Sequence, residues 1–358
     1  MRRSTMMAAV WALMAATALA QTIDGRNIPQ EFGTPLASQT NYTGFGDRLA
    51  THNWGSELDQ LFIRCVNGVL YIGITGNLEG NGNAIHLYID TGRNTSNTFS
   101  LTTGCINCSV QGMSGVIFEH KPDWAIGINR YDDGQGNDNI YIDFHDLVNN
   151  QSTYIGAVAV GTGANTPQGG DNSINLLAAF DNSNVLGVTS DSGNIGDPAT
   201  ATTGLEVAIP LSALGNPTGT IKILAVLTGG TWDQACGDGQ VATYMSNQTL
   251  PALNVGDPSR QFPNAAWSRC PSAPFDMFPF DFSNEEFVPG QQYVSVEPCP
   301  AGPEGDVNGD GCVDDADLLA VLFAFGQTGS GLPEDVNADG VVDDADLLTV
   351  LFNFGAGC

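Results

Sequence analysis

The chain has 358 residues, of which 39 are Asp or Glu and 11 are Lys or Arg, giving a formal charge of −28. A surface so poor in cations cannot neutralise phosphates, which excludes nucleic acid as a partner and disfavours anionic membrane surfaces.

Met1-Arg2-Arg3 is followed by an apolar run from Met6 to Leu19 that ends Ala18-Leu19-Ala20. This is the form of a secretory signal over residues 1–20 rather than of a membrane anchor, with Gln21 first in the mature chain. Loss of Arg2 and Arg3 takes the charge from −28 to −30. The expectation is a secreted protein, extracellular or at the cell surface, with no membrane span after cleavage. Its eight cysteines then read as disulfides.

Residues 21–297 are rich in Gly, Asn and Thr, with short alternating runs between turn residues. That pattern predicts a mainly β fold, an antiparallel β-sandwich with long loops. The clearest element is a hairpin: Gln60–Val66, the turn Asn67-Gly68, then Val69–Thr75. The run Ala84–Asp90 puts Ile85, Leu87 and Ile89 on one face and His86, Tyr88 and Asp90 on the other. Further strands are expected at 125–129, 139–144, 154–160, 174–180, 204–209 and 221–227, and short helical turns at Asp143–Val148 and Pro210–Leu214. Cys105-Ile-Asn-Cys108 reads as a small local loop, while Cys65, Cys236, Cys270 and Cys299 leave their pairing open.

Two stretches of this region, Asn67-Gly-Val-Leu-Tyr-Ile-Gly-Ile with Ile85-His-Leu-Tyr-Ile-Asp90, and Leu205-Glu-Val-Ala-Ile-Pro-Leu-Ser-Ala-Leu-Gly215, resemble strand signatures of family 9-type carbohydrate-binding modules and the related DOMON sandwiches. The resemblance implies a β-sandwich of carbohydrate-binding type. Aromatic rings are the groups that stack on pyranose faces, and the ligand-binding candidates are Trp54 and Trp232, both in loop-like settings, with Tyr88; Trp124, Trp267 and Tyr131 are further aromatics. No catalytic residue is assigned. Neither a Gly-x-Ser-x-Gly turn nor a His-Glu-x-x-His helix occurs. Asp123, Asp143, Asp146 and Glu206 do not read as the paired carboxylates of a glycosidase, and Glu206, alternating with Leu205 and Val207, is expected to face solvent. His52, His86, His120 and His145 are scattered and read as structural or exposed.

After a linker over 298–305, residues 306–358 hold two copies of one calcium-loop pattern, 29 residues apart. A twelve-residue loop surrounds a hard cation with side-chain oxygens from positions 1, 3, 5 and 12, a carbonyl from position 7 and position 9 often through water, around a glycine turn at position 6. The first loop supplies Asp306, Asn308, Asp310, the Cys312 carbonyl, Asp314 and Asp317, with Gly311 at the turn. The second supplies Asp335, Asn337, Asp339, the Val341 carbonyl, Asp343 and Asp346, with Gly340. Two Ca2+ ions are expected. Each loop runs into Asp-Leu-Leu-x-Val-Leu-Phe-x-Phe-Gly, an apolar helix, whereas Pro303 and Pro333 exclude an entering helix. From Glu304 to Asp346 there are twelve carboxylates, and no Lys or Arg follows Arg269, so the metal-free segment repels itself. A Cys312–Cys358 bridge is expected to clasp its ends.

An EF-hand-type loop plus exit helix, repeated, with Asp at position 12 resembles a type I dockerin, and the resemblance implies a small α-helical module that attaches to a cohesin-like or other surface protein. Positions 10 and 11, Ser/Thr-like in that family, are Asp315-Ala316 and Asp344-Ala345; its later basic pair is replaced by Leu322-Phe323 and Leu351-Phe352. Those four apolar residues are the partner-binding candidates, because helices apolar nearly all round need cover beyond each other. The leading reading is a secreted, non-catalytic protein whose module tethers a carbohydrate-binding-type sandwich to an extracellular assembly concerned with polysaccharide. The alternatives are a glycoside hydrolase of unrecognised type with the same module, and an adhesion protein with no sugar ligand.

Overall fold

The computed structural model describes residues 21–47, 55–102, 110–191, 193–229, 244–253, 267–268, 280–284, 287–299, 302–308, 311–329, 332–337 and 339–358. They form two compact units, Gln21–Ala301 and Gly302–Cys358.

The first unit is built of antiparallel strands in two sheets. The smaller sheet has the order β1 (Ala37–Ser38), β2 (Glu57–Val66), β3 (Val69–Asn77), β10 (Gly204–Pro210), β9 (Leu177–Phe180). The larger runs β13 (Trp267–Ser268), β12 (Tyr244–Leu250), β11 (Ile221–Thr228), β4 (Asn81–Asp90), β5 (Trp124–Asp132), β6 (Asp138–Asp146), β7 (Gln151–Ala159), β8 (Gln168–Gly169), and β14 (Val294–Val296) also pairs with β11. The Asn67-Gly68 hairpin forms where the local signal puts it: both residues take left-handed backbone, at φ 49° and 74°, and Val66 pairs with Val69.

Period-2 alternation builds the core between the sheets. Leu61, Leu70 and Ile72 from one sheet meet Ile85, Leu87, Ile126 and Ile142 from the other. A second apolar layer, with Phe99, Val110, Met113, Phe118 and Phe282, covers the outer face of the larger sheet at β12, β11, β4 and the start of β5, and buries Tyr88. Both faces of β4 are therefore dry. The helical turn expected at Asp143–Val148 is corrected: Asp143–Asp146 ends β6, because Phe144 alternates into the core and the segment pairs with both β5 and β7. Leu211–Leu214 is a single 3-10 turn. Cys65 of β2 is bonded to Cys299, so the stretch expected to be linker starts tethered to the sandwich.

The N-terminal segment crosses the outer face of the smaller sheet. Its short helix α1 (Ile28–Phe32) packs Ile28 and Phe32 on Phe62. Here the expectation for Glu206 is also corrected. It is fully buried, and one of its oxygens accepts the amides of Asp24 at 2.8 Å and Gly25 at 2.6 Å. The outward face of β10 is roofed by this segment, so alternation with Leu205 and Val207 does not bring Glu206 to water. Burial pushes its carboxyl up to about 8, against the two amide bonds.

Because that value lies above the ordinary 4.5, the stability this group contributes is complete below pH 4.5 and is lost as pH rises through about 8. Glu206→Gln keeps an acceptor for both amides and does not ionise. Thermal melts are expected to show it roughly 3 °C or more above wild type at pH 8.5 and close to wild type at pH 4.5.

Candidate functional site

The second unit consists of two loop–helix repeats, with helices α2 (Asp315–Ala324) and α3 (Asp344–Phe352). Each loop turns on a glycine at position 6 with left-handed backbone, Gly311 at φ 91° and Gly340 at φ 90°. The position 1 carboxylate reaches across that turn: Asp306 accepts the Gly311 amide at 2.9 Å, and Asp335 the Gly340 amide at 2.8 Å.

Position 12 closes the loop from the other side. Asp317 is fully buried; one oxygen accepts the amides of Val307 and Asn308, the other that of Asp314. Asp346 repeats this with Asn337 and Asp343. Each is also the N3 residue of a reciprocal capping box with Asp314 or Asp343, which fixes where the helix starts. The same side chain thus ties the loop's beginning to its end and nucleates the helix.

These buried carboxylates sit in a unit whose sequence contains no Lys, Arg or His. Amide dipoles and the helix N-terminus offset part of the charge; no side chain there can complete the compensation. The donor set, carboxylates with Asn308, Asn337 and the carbonyls of Cys312 and Val341, is oxygen only, which fits a hard divalent cation. Among the described residues, no three His, Cys, Asp or Glu side chains converge as a metal group. Asp310 lies outside those residues, and such a loop also draws on amide and main-chain oxygens.

The repeats are interlocked. Val313, in the first loop, donates to Ala356 and accepts from Gly355, beyond the second helix. Val342, its equivalent, donates to Gln327 and accepts from Gly326, beyond the first helix. Next to these pairings, Thr328 bridges Val341, while the corresponding place in the other half carries the Cys312–Cys358 disulfide. Between the helices, Val313, Val321, Ala324, Val342 and Val350 make a small core.

The opposite helix faces are bare in both repeats. Leu319, Leu322, Phe323 and Phe325 are exposed, and so are their counterparts Leu348, Leu351, Phe352 and Phe354. Phe323 is 84% exposed and Phe352 83%. The four partner candidates Leu322, Phe323, Leu351 and Phe352 are therefore all on the surface.

The sugar candidates fare differently. Tyr88 is corrected: it is fully buried, 4.5 Å from Phe118 and 5.4 Å from Phe99 between ring centroids, with no face open to a ligand. Trp54 and Trp232 lie outside the described residues, as do His52, Cys105, Cys108, Cys236 and Cys270. Trp124 is buried, stacked on Phe144 under the Arg93 guanidinium. Asp123 accepts the amides of Thr91 and Arg93, and Asp146 pairs with Arg93, so both hold turns together. His86, His120 and His145 are buried, which lowers them to about 3, 4 and 4 and keeps them neutral. Tyr131, Tyr141 and Tyr154 share one outer face of the larger sheet, a juxtaposition that only strand register reveals.

Comparison of the chain with protein-family models, with curated proteins and with solved structures gives no match. Among the described residues, no helix is long and apolar enough to cross a membrane. If the two faces of each helix are as distinct as their burial indicates, Val321→Ala with Val350→Ala should cost about 2 kcal/mol per site by denaturant titration. Phe323→Ser with Phe352→Ser should change stability by less than about 0.5 kcal/mol per site.

Proposed function

We propose that this is a secreted, non-catalytic adaptor, in which a calcium-dependent dockerin-like module attaches a carbohydrate-binding-type sandwich to an extracellular or cell-surface assembly acting on polysaccharide. The observation that carries the reading is the pair of fully buried position 12 carboxylates, Asp317 and Asp346, in a unit with no cationic side chain. One Ca2+ ion would be held by Asp306, Asn308, Asp310, the Cys312 carbonyl, Asp314 and Asp317. The other would be held by Asp335, Asn337, Asp339, the Val341 carbonyl, Asp343 and Asp346. When bound, the ions supply positive charge at the loop centres; the protein's own groups set the turn, cap the helices and present the apolar stripes.

Those stripes support attachment. Large apolar side chains exposed identically in two repeats are surface that a soluble chain covers by binding. A cohesin-like or other surface protein is the proposed partner, and polysaccharide the proposed ligand of the sandwich.

Calorimetric titration of the full chain with calcium tests the reading. Two ions per chain are expected, about one for Asp306→Ala or Asp335→Ala, and a lower melting temperature for the unit in chelator. Uptake of less than one ion by the wild type would remove the module assignment.

A further inference from the structure

We infer that an extended, neutral glycan binds along a diagonal of three tyrosines, Tyr131, Tyr141 and Tyr154, on the outer face of β5, β6 and β7; this rests on the carbohydrate reading of the sandwich. Register sets the diagonal. Tyr131 pairs with Asn139, two residues before Tyr141, and Tyr141 pairs with Ala157. A bulge after Ile142 then brings Tyr154, rather than Ile155, opposite Asp143. Each tyrosine is one strand over and one pair along from the last, about 7–8 Å apart.

The rings are free to take a ligand. Tyr131 is 53% exposed and Tyr154 39%, with Tyr141 half-buried between them. Directly opposite them on neighbouring strands stand Asn81 and Asn139 for Tyr131, Asn129 and Ala157 for Tyr141, and Asp143 for Tyr154, none of them a large apolar side chain. Among the described residues, none of the three side chains makes a hydrogen bond or a ring contact.

Asp143 lies between Tyr141 and Tyr154 and is 9% exposed. No hydrogen bond reaches its carboxyl among the described residues. Its carboxyl, little exposed but still reachable from outside, is an acceptor that water or a ligand hydroxyl can serve, and sugar hydroxyls are donors of the right kind beside rings that stack on the C–H face of a pyranose. The ligand is neutral because Asp132 and Asp133 flank the strip's end at Tyr131 and Arg130, the cation of these strands, is engaged by Asp138 and the Leu78 carbonyl. An acidic polysaccharide is repelled here. A protein interface of ordinary size needs about 800 Å² per partner, and on β5 to β7 the large exposed apolar side chains are Tyr131 and Tyr154.

Calorimetry of the calcium-loaded full chain with cellohexaose, xylohexaose, mannohexaose and polygalacturonate tests this. Binding of at least one neutral hexaose is expected, weakened about tenfold or more in Tyr131→Ala/Tyr154→Ala at unchanged melting temperature. Tyr131→Phe/Tyr154→Phe should keep most of the affinity, and Asp143→Ala should weaken it. Hexaose binding equal in wild type and the double alanine variant would overturn the tyrosine site and leave the carbohydrate reading standing. Failure of the wild type to bind any hexaose would overturn both, and preference for polygalacturonate would overturn the neutral ligand.

Discussion

Two carboxylates without a cation govern the C-terminal unit. Asp317 and Asp346 are fully buried where no Lys, Arg or His exists to pair with them. A buried charge is tolerated when it is hydrogen-bonded and compensated. The amides supply the first condition, and the proposed metal supplies the second. Because the same side chains close the loops and start the helices, the electrostatic condition and the fold are one constraint.

That constraint is shared between the repeats. Val313 and Val342 each pair with chain beyond the other repeat's helix, so neither half completes its hydrogen bonds alone. Among the described residues, the fully buried core they enclose is four valines and an alanine, with six partly buried apolar side chains against it, a small core for a unit of this size. The Cys312–Cys358 bridge and, on the proposed reading, two cations make up the difference. The apolar side chains that would enlarge the core, Phe323 and Phe352 above all, point outward. Those side chains add no burial to the helices, and on the proposed reading a partner covers them.

What could be read from the residues was what short spacing controls. The turns at Gly311 and Gly340, the Asn67-Gly68 turn and the alternation of β4 depend on neighbours a few positions apart, and each appears in the structure. What could not be read depends on chain brought from far away. Alternation separates the two faces of β4 but does not tell water from a second apolar layer, so Tyr88 looked available when Phe99 and Phe118 cover it. Glu206 looked solvated because nothing local indicates that Asp24 and Gly25 cross over it. The diagonal of tyrosines escaped because it requires both strand register and the bulge after Ile142.

Amide hydrogen exchange of the full chain, with calcium and then with chelator, measures the coupling between metal and fold directly. With calcium, the Val313, Gly355, Val342 and Gly326 amides are expected to be protected, and in chelator to lose protection together while the sandwich strands keep theirs. Protection of those four amides that was the same in chelator would contradict a metal-ordered module.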